Sequence, residues 1–278
     1  MNVLDLAKLT RVEHGVMYAI AVIIGVLLTG SLPSQEVLVL ACLVALLSEM
    51  GAFSLNDYFD VGADRANNRT DRPLVSGRIS PSFALFFGIF CILASLIAAF
   101  FISEKIFIFT IFLDALAILY NLKLKLLPLI GNVYIAFTMG IPFVFGNFVV
   151  EERIASVNVI LFFLGFIAGL AREIIKSIED MEGDKAQRKA ATLPILLGED
   201  KSLLFAVSLY VLFLPISFLP FLYLKANIVS YVLFFVAVVL VAANIFYSLR
   251  KNYKKARVFS LIAFAFGLLA YLSTLLSF

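Results

Sequence analysis

Long apolar runs recur along this chain, separated by short polar connectors, and their length is the first structural signal. Nine of them lie near 15–31, 37–55, 82–102, 105–120, 129–149, 157–175, 202–222, 227–248 and 258–277. A helix of about 20 residues crosses the hydrocarbon layer. The runs are continuous rather than alternating in polarity, which favours helices over the strands of a membrane barrel. The expected fold is therefore all-α: a polytopic membrane protein of nine transmembrane helices, with residues 1–278 forming one membrane-embedded domain. The opening "NVLDLAKLTRVEH" reads as a short helix in the interface, offering Leu4, Leu6, Leu9 and Val12 to lipid. The first run is long enough to remain as a span, so no cleavable signal peptide is expected.

Composition agrees with this pattern. Only 15% of residues are charged, 63% are hydrophobic and the mean hydropathy is +1.05, whereas soluble domains carry about 25% charged residues. Two cysteines, Cys42 and Cys91, sit inside apolar runs, and His14 is the single histidine. A disulfide framework or a thiolate metal site is thereby disfavoured. The net charge of +3 gives no reason to expect a nucleic-acid partner. The placement of the basic residues says more. With nine spans, 19 of the 22 lysines and arginines fall on one side, leaving Lys105, Arg153 and Lys225 on the other. Basic loops stay cytoplasmic, so the N-terminus is expected inside and the C-terminus outside.

That folding of the chain brings two polar stretches to the same, cytoplasmic face: "NDYFDVGADRANNRTDRPL" after the second span and "REIIKSIEDMEGDKAQRKAATLP" after the sixth. Asn56, Asp60 and Asp64 recur every four residues, which places them on one helix face. Asp180 and Asp184 repeat the spacing, with Glu173 further back. Carboxylates crowded in this way repel one another, and a divalent cation relieves the repulsion. Oxygen-only donors favour Mg²⁺, which commonly bridges a few carboxylates to substrate phosphates. Arg65, Arg69, Arg72, Lys176, Lys185 and Arg188 are interleaved with the acids and suit phosphate oxygens. The residues alone thus point to a metal–diphosphate site at the mouth of an apolar bundle.

The first stretch resembles the NxxxDxxxD motif of the UbiA-like intramembrane prenyltransferase superfamily, and "EDMEGD" resembles its second motif, DxxxD. The resemblance runs over essentially the whole chain. It implies a bundle of nine transmembrane helices around a lipid-open central cavity, and isoprenoid transfer from a prenyl diphosphate with Mg²⁺ as cofactor. By motif position it implies Asn56, Asp60, Asp64, Asp180 and Asp184 as metal and diphosphate ligands. Within the superfamily "REIIKSIEDMEGDKAQRKAATLPILLG" and "LYNLKLKLLPLIGN" are most similar to the archaeal digeranylgeranylglyceryl phosphate synthase branch. That similarity adds Tyr120, Lys123 and Lys125 to the diphosphate surroundings. It also implies a lipid-like phosphorylated acceptor, geranylgeranylglyceryl phosphate, with Lys123, Lys125 and Arg11 as basic residues available to it. The chain departs from the branch at Ser177, where an aspartate is usual, and at "RVEH" (Arg11 to His14), where "RPxN" is common.

The chemistry so implied is ionisation of an allylic diphosphate, with the cation shielded from water by a bundle rich in phenylalanine. Two acids lie at membrane depth, where ionisable groups are costly and often functional. Glu49 precedes Asn56 by two turns on the same stripe and is a candidate base for the acceptor hydroxyl, with protonation or a structural hydrogen bond as the alternative. Asp114 is off the Tyr120 face and reads as structural. His14 reads as an interface residue, and Asp57 as facing away from the motif, pairing with Arg72 or capping a loop. Other readings stay open: an aromatic quinone precursor or haem as acceptor, or a transporter using the buried acids.

Overall fold

The structure, a computed structural model, describes residues 2–187 and 192–275, and every regular element among them is helical. Arg188 and Lys189 lie outside the described residues. Helices α1 (Val3–Thr10) and α2 (Val12–Leu27) meet at Arg11, whose backbone is left-handed (φ 45°), and the pair bends by 57°. Then come α3 (Gln35–Ala66), α4 (Pro81–Ile102), α5 (Glu104–Leu122), α6 (Ile130–Val150), α7 (Ser156–Glu179), α8 (Met181–Gln187), α9 (Leu193–Leu197), α10 (Glu199–Ile216), α11 (Ile228–Leu249) and α12 (Tyr253–Leu275). Among the described residues eight helices are long and apolar enough to span a membrane by themselves, and the bent α1–α2 pair raises this to nine if it counts as one span. Large apolar side chains such as Phe86 and Phe235 point outward, 70% and 67% exposed. Only a lipid surround removes the cost of exposing so many. The chain is an integral membrane protein.

Polar punctuation sets the helix starts. Ser34, Ser80 and Ser103 each accept a bond from the backbone N–H three residues on, and Pro81 occupies the first turn of α4, where a missing N–H costs nothing. Asn227 and Ser230 close a reciprocal capping box on α11. With 32 residues, α3 is about 48 Å long at 1.5 Å per residue. That exceeds the hydrocarbon thickness of about 30 Å, so its last turns, carrying Asn56 to Asp64, project past the apolar layer.

Close backbone approach holds the bundle centre. A Cβ on Gly25 would strike the Phe143 carbonyl, and one on Gly146 the Val22 carbonyl, so two glycines let α2 and α6 cross in contact. At the opposite end from the acidic motifs, the fully buried Asn147 takes bonds from Ala155 N (3.0 Å) and Asn158 Nδ2 (2.9 Å), and donates to the Glu151 and Arg153 carbonyls. Asn158 in turn donates to the Gly25 carbonyl. One buried amide pair thus joins the α6–α7 turn to α2.

The interfacial reading of the first helix needs correction. Leu4 is exposed, but Leu9 is fully buried against Leu74, Ile79 and Ala84. Arg78 pairs with Asp5 at 3.2 Å. Docking on the loop after α3, and not lipid alone, therefore covers the apolar side of α1.

Candidate active site

Both polar motifs arrive at one place. Arg69, just beyond α3, donates to Asp180 at 3.1 Å, and Asp180 caps the C-terminus of α7. Next to this link the side chain of Asn67, the α3 cap, lies directly on the Cα of Gly183 in α8, where a Cβ would collide with it. The second motif is not one continuous helix: α7 stops at Glu179 and α8 starts at Met181, with the Asp184 N–H bonded to the Asp180 carbonyl at 3.0 Å.

The acids are covered by cations. Lys125, in the turn after α5, reaches Asp60 at 2.6 Å. Arg72 pairs with Asp64 and, at 3.1 Å, with Asp57. Arg11 meets Asp57 at 2.8 Å while its guanidinium lies over the Phe53 ring. Asp57, Asp60, Asp64 and Asp184 are all buried. Burial opposes the charge on Arg72, but Asp57, Asp64 and Asp60 outweigh it and raise its pKa above the ordinary arginine value. Among the described residues no three Asp, Glu, His or Cys side chains are grouped to hold a metal ion. The like-charge crowding read from the sequence is relieved here by lysine and arginine, with Asp60, Asp64 and Asp180 each meeting a cation of its own. The donors are nevertheless carboxylate and amide oxygens, the chemistry that suits Mg²⁺.

Above these pairs a cavity of about 790 Å³ is walled by α1, α3, α7, α12 and the loop after α3. Arg69 and Arg72 line it together with Asn56, Tyr120 and Lys176, whereas Asp60, Asp64, Asp180 and Asp184 lie behind its surface. Arg65 and Lys123 stand off its wall. Asn56 donates to Asn121 at 2.9 Å, and Tyr120 stacks on Tyr134 with ring centres 4.8 Å apart. Ser177 accepts a bond from Asn132 at 2.8 Å.

Two smaller, mainly apolar chambers share wall residues with this cavity. One lies among α2, α6, α7, α11 and α12, the other among α2, α3, α5 and α6. Tyr18 lines the cavity and both chambers, and its hydroxyl is 3.2 Å from that of Thr138. Glu49 lines the cavity and the second chamber, on the stripe expected for it. Asp114 is buried and accepts from Ser95 at 3.0 Å, a tie between α5 and α4 consistent with its structural reading. His14 corrects its own reading: it lines the cavity and the first chamber, with its ring 5.3 Å from that of Phe53.

The expected pairing of Asp57 with Arg72 is present at 3.1 Å; sequence reasoning missed its second partner, Arg11, and the presence of Asn121, Arg172 and Arg257 on the cavity wall. Asn121 follows Tyr120 directly, and its helical position was the available signal. The other two stood among basic residues counted only for topology.

Comparison with known proteins agrees with this architecture. Residues 18–273 match the UbiA prenyltransferase family. The digeranylgeranylglyceryl phosphate synthase of Archaeoglobus fulgidus is 38% identical over 275 residues, covering 95% of this chain and 92% of that one. A solved structure concerning digeranylgeranylglyceryl phosphate synthase in membranes shares 29% identity and a TM-score of 0.69, covering 98% of this chain and 97% of its own. A UbiA homologue from Archaeoglobus fulgidus bound to GPP and Mg²⁺ shares the fold at a TM-score of 0.65 and 19% identity, over 98% of this chain and 99% of its own. Matched over most of its length, and 38% identical to a relative across 95% of it, the chain belongs to the UbiA prenyltransferase family.

Proposed function

We propose that this protein transfers a geranylgeranyl group from geranylgeranyl diphosphate to the free hydroxyl of geranylgeranylglyceryl phosphate, forming the second ether bond of an archaeal membrane lipid, in a Mg²⁺-dependent reaction. One observation carries the reading: the Arg69–Asp180 bridge, which joins the two acidic motifs beside a cavity that shares its walls with apolar chambers. The names of the relatives support the same acceptor, and the homologue bound to GPP and Mg²⁺ supports the donor and the ion.

In this reading residues 1–278 form one catalytic domain. Asn56, Asp60, Asp64, Asp180 and Asp184 would hold Mg²⁺, which when bound withdraws charge from the diphosphate. Arg69, Arg72 and Tyr120 would face the diphosphate from the cavity wall, with Lys176 across the cavity and Lys125 behind, on Asp60. Arg65 and Lys123, expected there from the sequence, stand farther back and would act only through their charge. The C1–O bond breaks, and its electron pair leaves with the diphosphate, stabilised by guanidinium and ammonium groups already in place. The acceptor oxygen forms the new C–O bond, and its proton passes to Glu49. Tyr18, Tyr120 and Tyr134 present aromatic faces where the allylic cation develops, and the apolar chambers exclude water as a competing nucleophile. The basic-side asymmetry supports a cytoplasmic mouth and N-terminus, with the C-terminus outside.

The test offers purified protein radiolabelled geranylgeranyl diphosphate with either geranylgeranylglyceryl phosphate or 4-hydroxybenzoate. Transfer to the glycerol phosphate is expected, lost with chelator, restored by Mg²⁺, and abolished in Asp60→Ala and Asp184→Ala. Prenylation of the aromatic acid alone would refute the acceptor. Near-normal turnover in both variants would refute the site.

A further inference from the structure

The cations around the cavity are not equivalent. On the side formed by α1, the start of α2, α3 and the loop after α3, the lining holds four cations and four carboxylates. Arg11, Arg69 and Arg72 there are already engaged by Asp57, Asp180 and Asp64. Across the cavity, α7 and α12 contribute Arg172, Lys176, Lys254 and Arg257, against only Glu173 and Glu179. Arg172 and Lys176 are one helical turn apart on α7, and Lys254 and Arg257 one turn apart on α12, so each pair shares a face. Arg257 draws the two helices together by meeting Glu179 at 2.6 Å.

Compensation on this wall is incomplete. Arg172 is 9% exposed, yet the carboxylate beside it, Glu173, is 3.6 Å away and is also held by Lys176 at 3.1 Å. Among the described residues, the Nε atoms of Arg172 and Arg257 have no hydrogen-bond partner. A buried guanidinium without full pairing is costly, and proteins keep such groups where an anion completes them. The surplus of two positive charges matches a phosphate monoester, which carries about −1.5 to −2 at neutral pH.

We propose that the α7–α12 wall, through Arg172 and Arg257 with Lys254, is a second anion site that binds the phosphate of the acceptor lipid, separate from the donor diphosphate site at the aspartate motifs, to which Lys176 is assigned. The assignment rests on the glycerol-phosphate reading above and extends it. Two anionic head groups then meet the cavity from opposite walls, each with its own cations, so donor and acceptor do not compete for one set of charges. An uncharged acceptor finds nothing to compensate Arg172. The wall therefore selects for a phosphorylated acceptor.

The experiment compares geranylgeranylglyceryl phosphate with dephosphorylated geranylgeranylglycerol, using the full chain and the variants Arg172→Gln, Arg257→Gln, Lys254→Gln and Arg257→Lys. The wild type should prefer the phosphorylated acceptor. Arg172→Gln and Arg257→Gln should raise its KM about tenfold or more, the loss of a charge-assisted hydrogen bond, and shrink the preference, with donor KM within about twofold. Arg257→Lys should recover part of the loss. If Arg172→Gln fails to fold, Arg257→Gln and the more exposed Lys254→Gln decide the outcome. Variants that keep the preference, or that raise donor KM instead, overturn the assignment and leave the proposed reaction standing. So does a wild type that uses both acceptors equally. A wild type that prenylates neither overturns the reaction and this site together.

Discussion

Asp57 offers the sharpest test of how the mouth is built, because it is a motif neighbour that the structure puts to structural use. Its side chain is 2% exposed and faces Arg11 at 2.8 Å and Arg72 at 3.1 Å. Asp57→Asn keeps the shape and removes the charge. Breaking a buried pair from one side costs about 3–5 kcal/mol, and exposed pairs contribute under about 1 kcal/mol. Arg72 retains Asp64, and Arg11 is 22% exposed, so the expected loss lies between these limits, at about 2–4 kcal/mol. At about 2–4 °C per kcal/mol for a chain of this size, the melting midpoint in detergent should fall by roughly 5–15 °C. A cycle with Arg11→Met separates the ion pair from packing on Phe53, and a coupling of at least about 1 kcal/mol is expected between contacting charges. Scans at one fixed heating rate, with inactivation half-lives at a single temperature, supply the readout. A coupling under about 0.5 kcal/mol, or a midpoint within about 2 °C of wild type, would refute the idea that Asp57 pins the α1–α2 bend to α3.

Asn147→Ala should cost about 2–4 kcal/mol, since it strands the Ala155 N–H and one Asn158 N–H in a buried turn; thermal shift checks this, and a neutral result would mean the amide pair is dispensable. Gly146→Leu should prevent α2 and α6 from touching, because even a Cβ meets the Val22 carbonyl; monodispersity on size exclusion is the measure, and a well-folded variant would show that the crossing can open. Lys125→Met removes the ammonium 2.6 Å from Asp60. It should lower the Mg²⁺ concentration for half-activation while raising donor KM about tenfold, and a rise in the Mg²⁺ requirement would mean that Lys125 does not compete with the ion. Mg²⁺ and inorganic pyrophosphate should each bind more tightly in the presence of the other, by calorimetry; independent binding would argue against shared use of the ion-paired cluster.

The spans were legible because membrane helices announce themselves by length. The two motifs were legible because like charges at helical spacing repel, so an apolar chain that keeps them must supply something to neutralise them. Even the stripe from Glu49 to Asn56 followed from periodicity alone. The misreadings share a cause: they concern which side of an element finds a partner far away in sequence. Leu9 looks lipid-facing until Leu74 and Ile79 are placed beside it. Asp57 reads from the sequence as facing away from the motif, but it lies one turn from Asp60, shares Arg72 with Asp64 and gains Arg11 from the bend between the first two helices. His14 stands at the start of a span, yet α3 and α7 surround it at the mouth. Periodicity identifies a face and not what that face meets, so residues acting through long-range pairs remain hidden from it.

The concentration of charge that marks this sequence is thus less a pool of acid than a set of matched pairs. Lys125 with Asp60, Arg72 with Asp64 and Arg69 with Asp180 are each neutral as a pair, which lets carboxylates sit buried beside an apolar cavity without the full cost of desolvated charge. The same pairing fixes what the site can accept. A lone cation would strand the lysine and arginines, and a lone diphosphate would strand the aspartates. On the proposed reading, a metal ion bound together with a diphosphate would leave neither uncompensated: the carboxylates would hold the ion and the basic side chains would face the phosphate oxygens. On this argument selectivity for a metal-bound diphosphate resides in the ion pairs themselves, and the surplus cations of α7 and α12 stand apart because that wall holds fewer acids than bases.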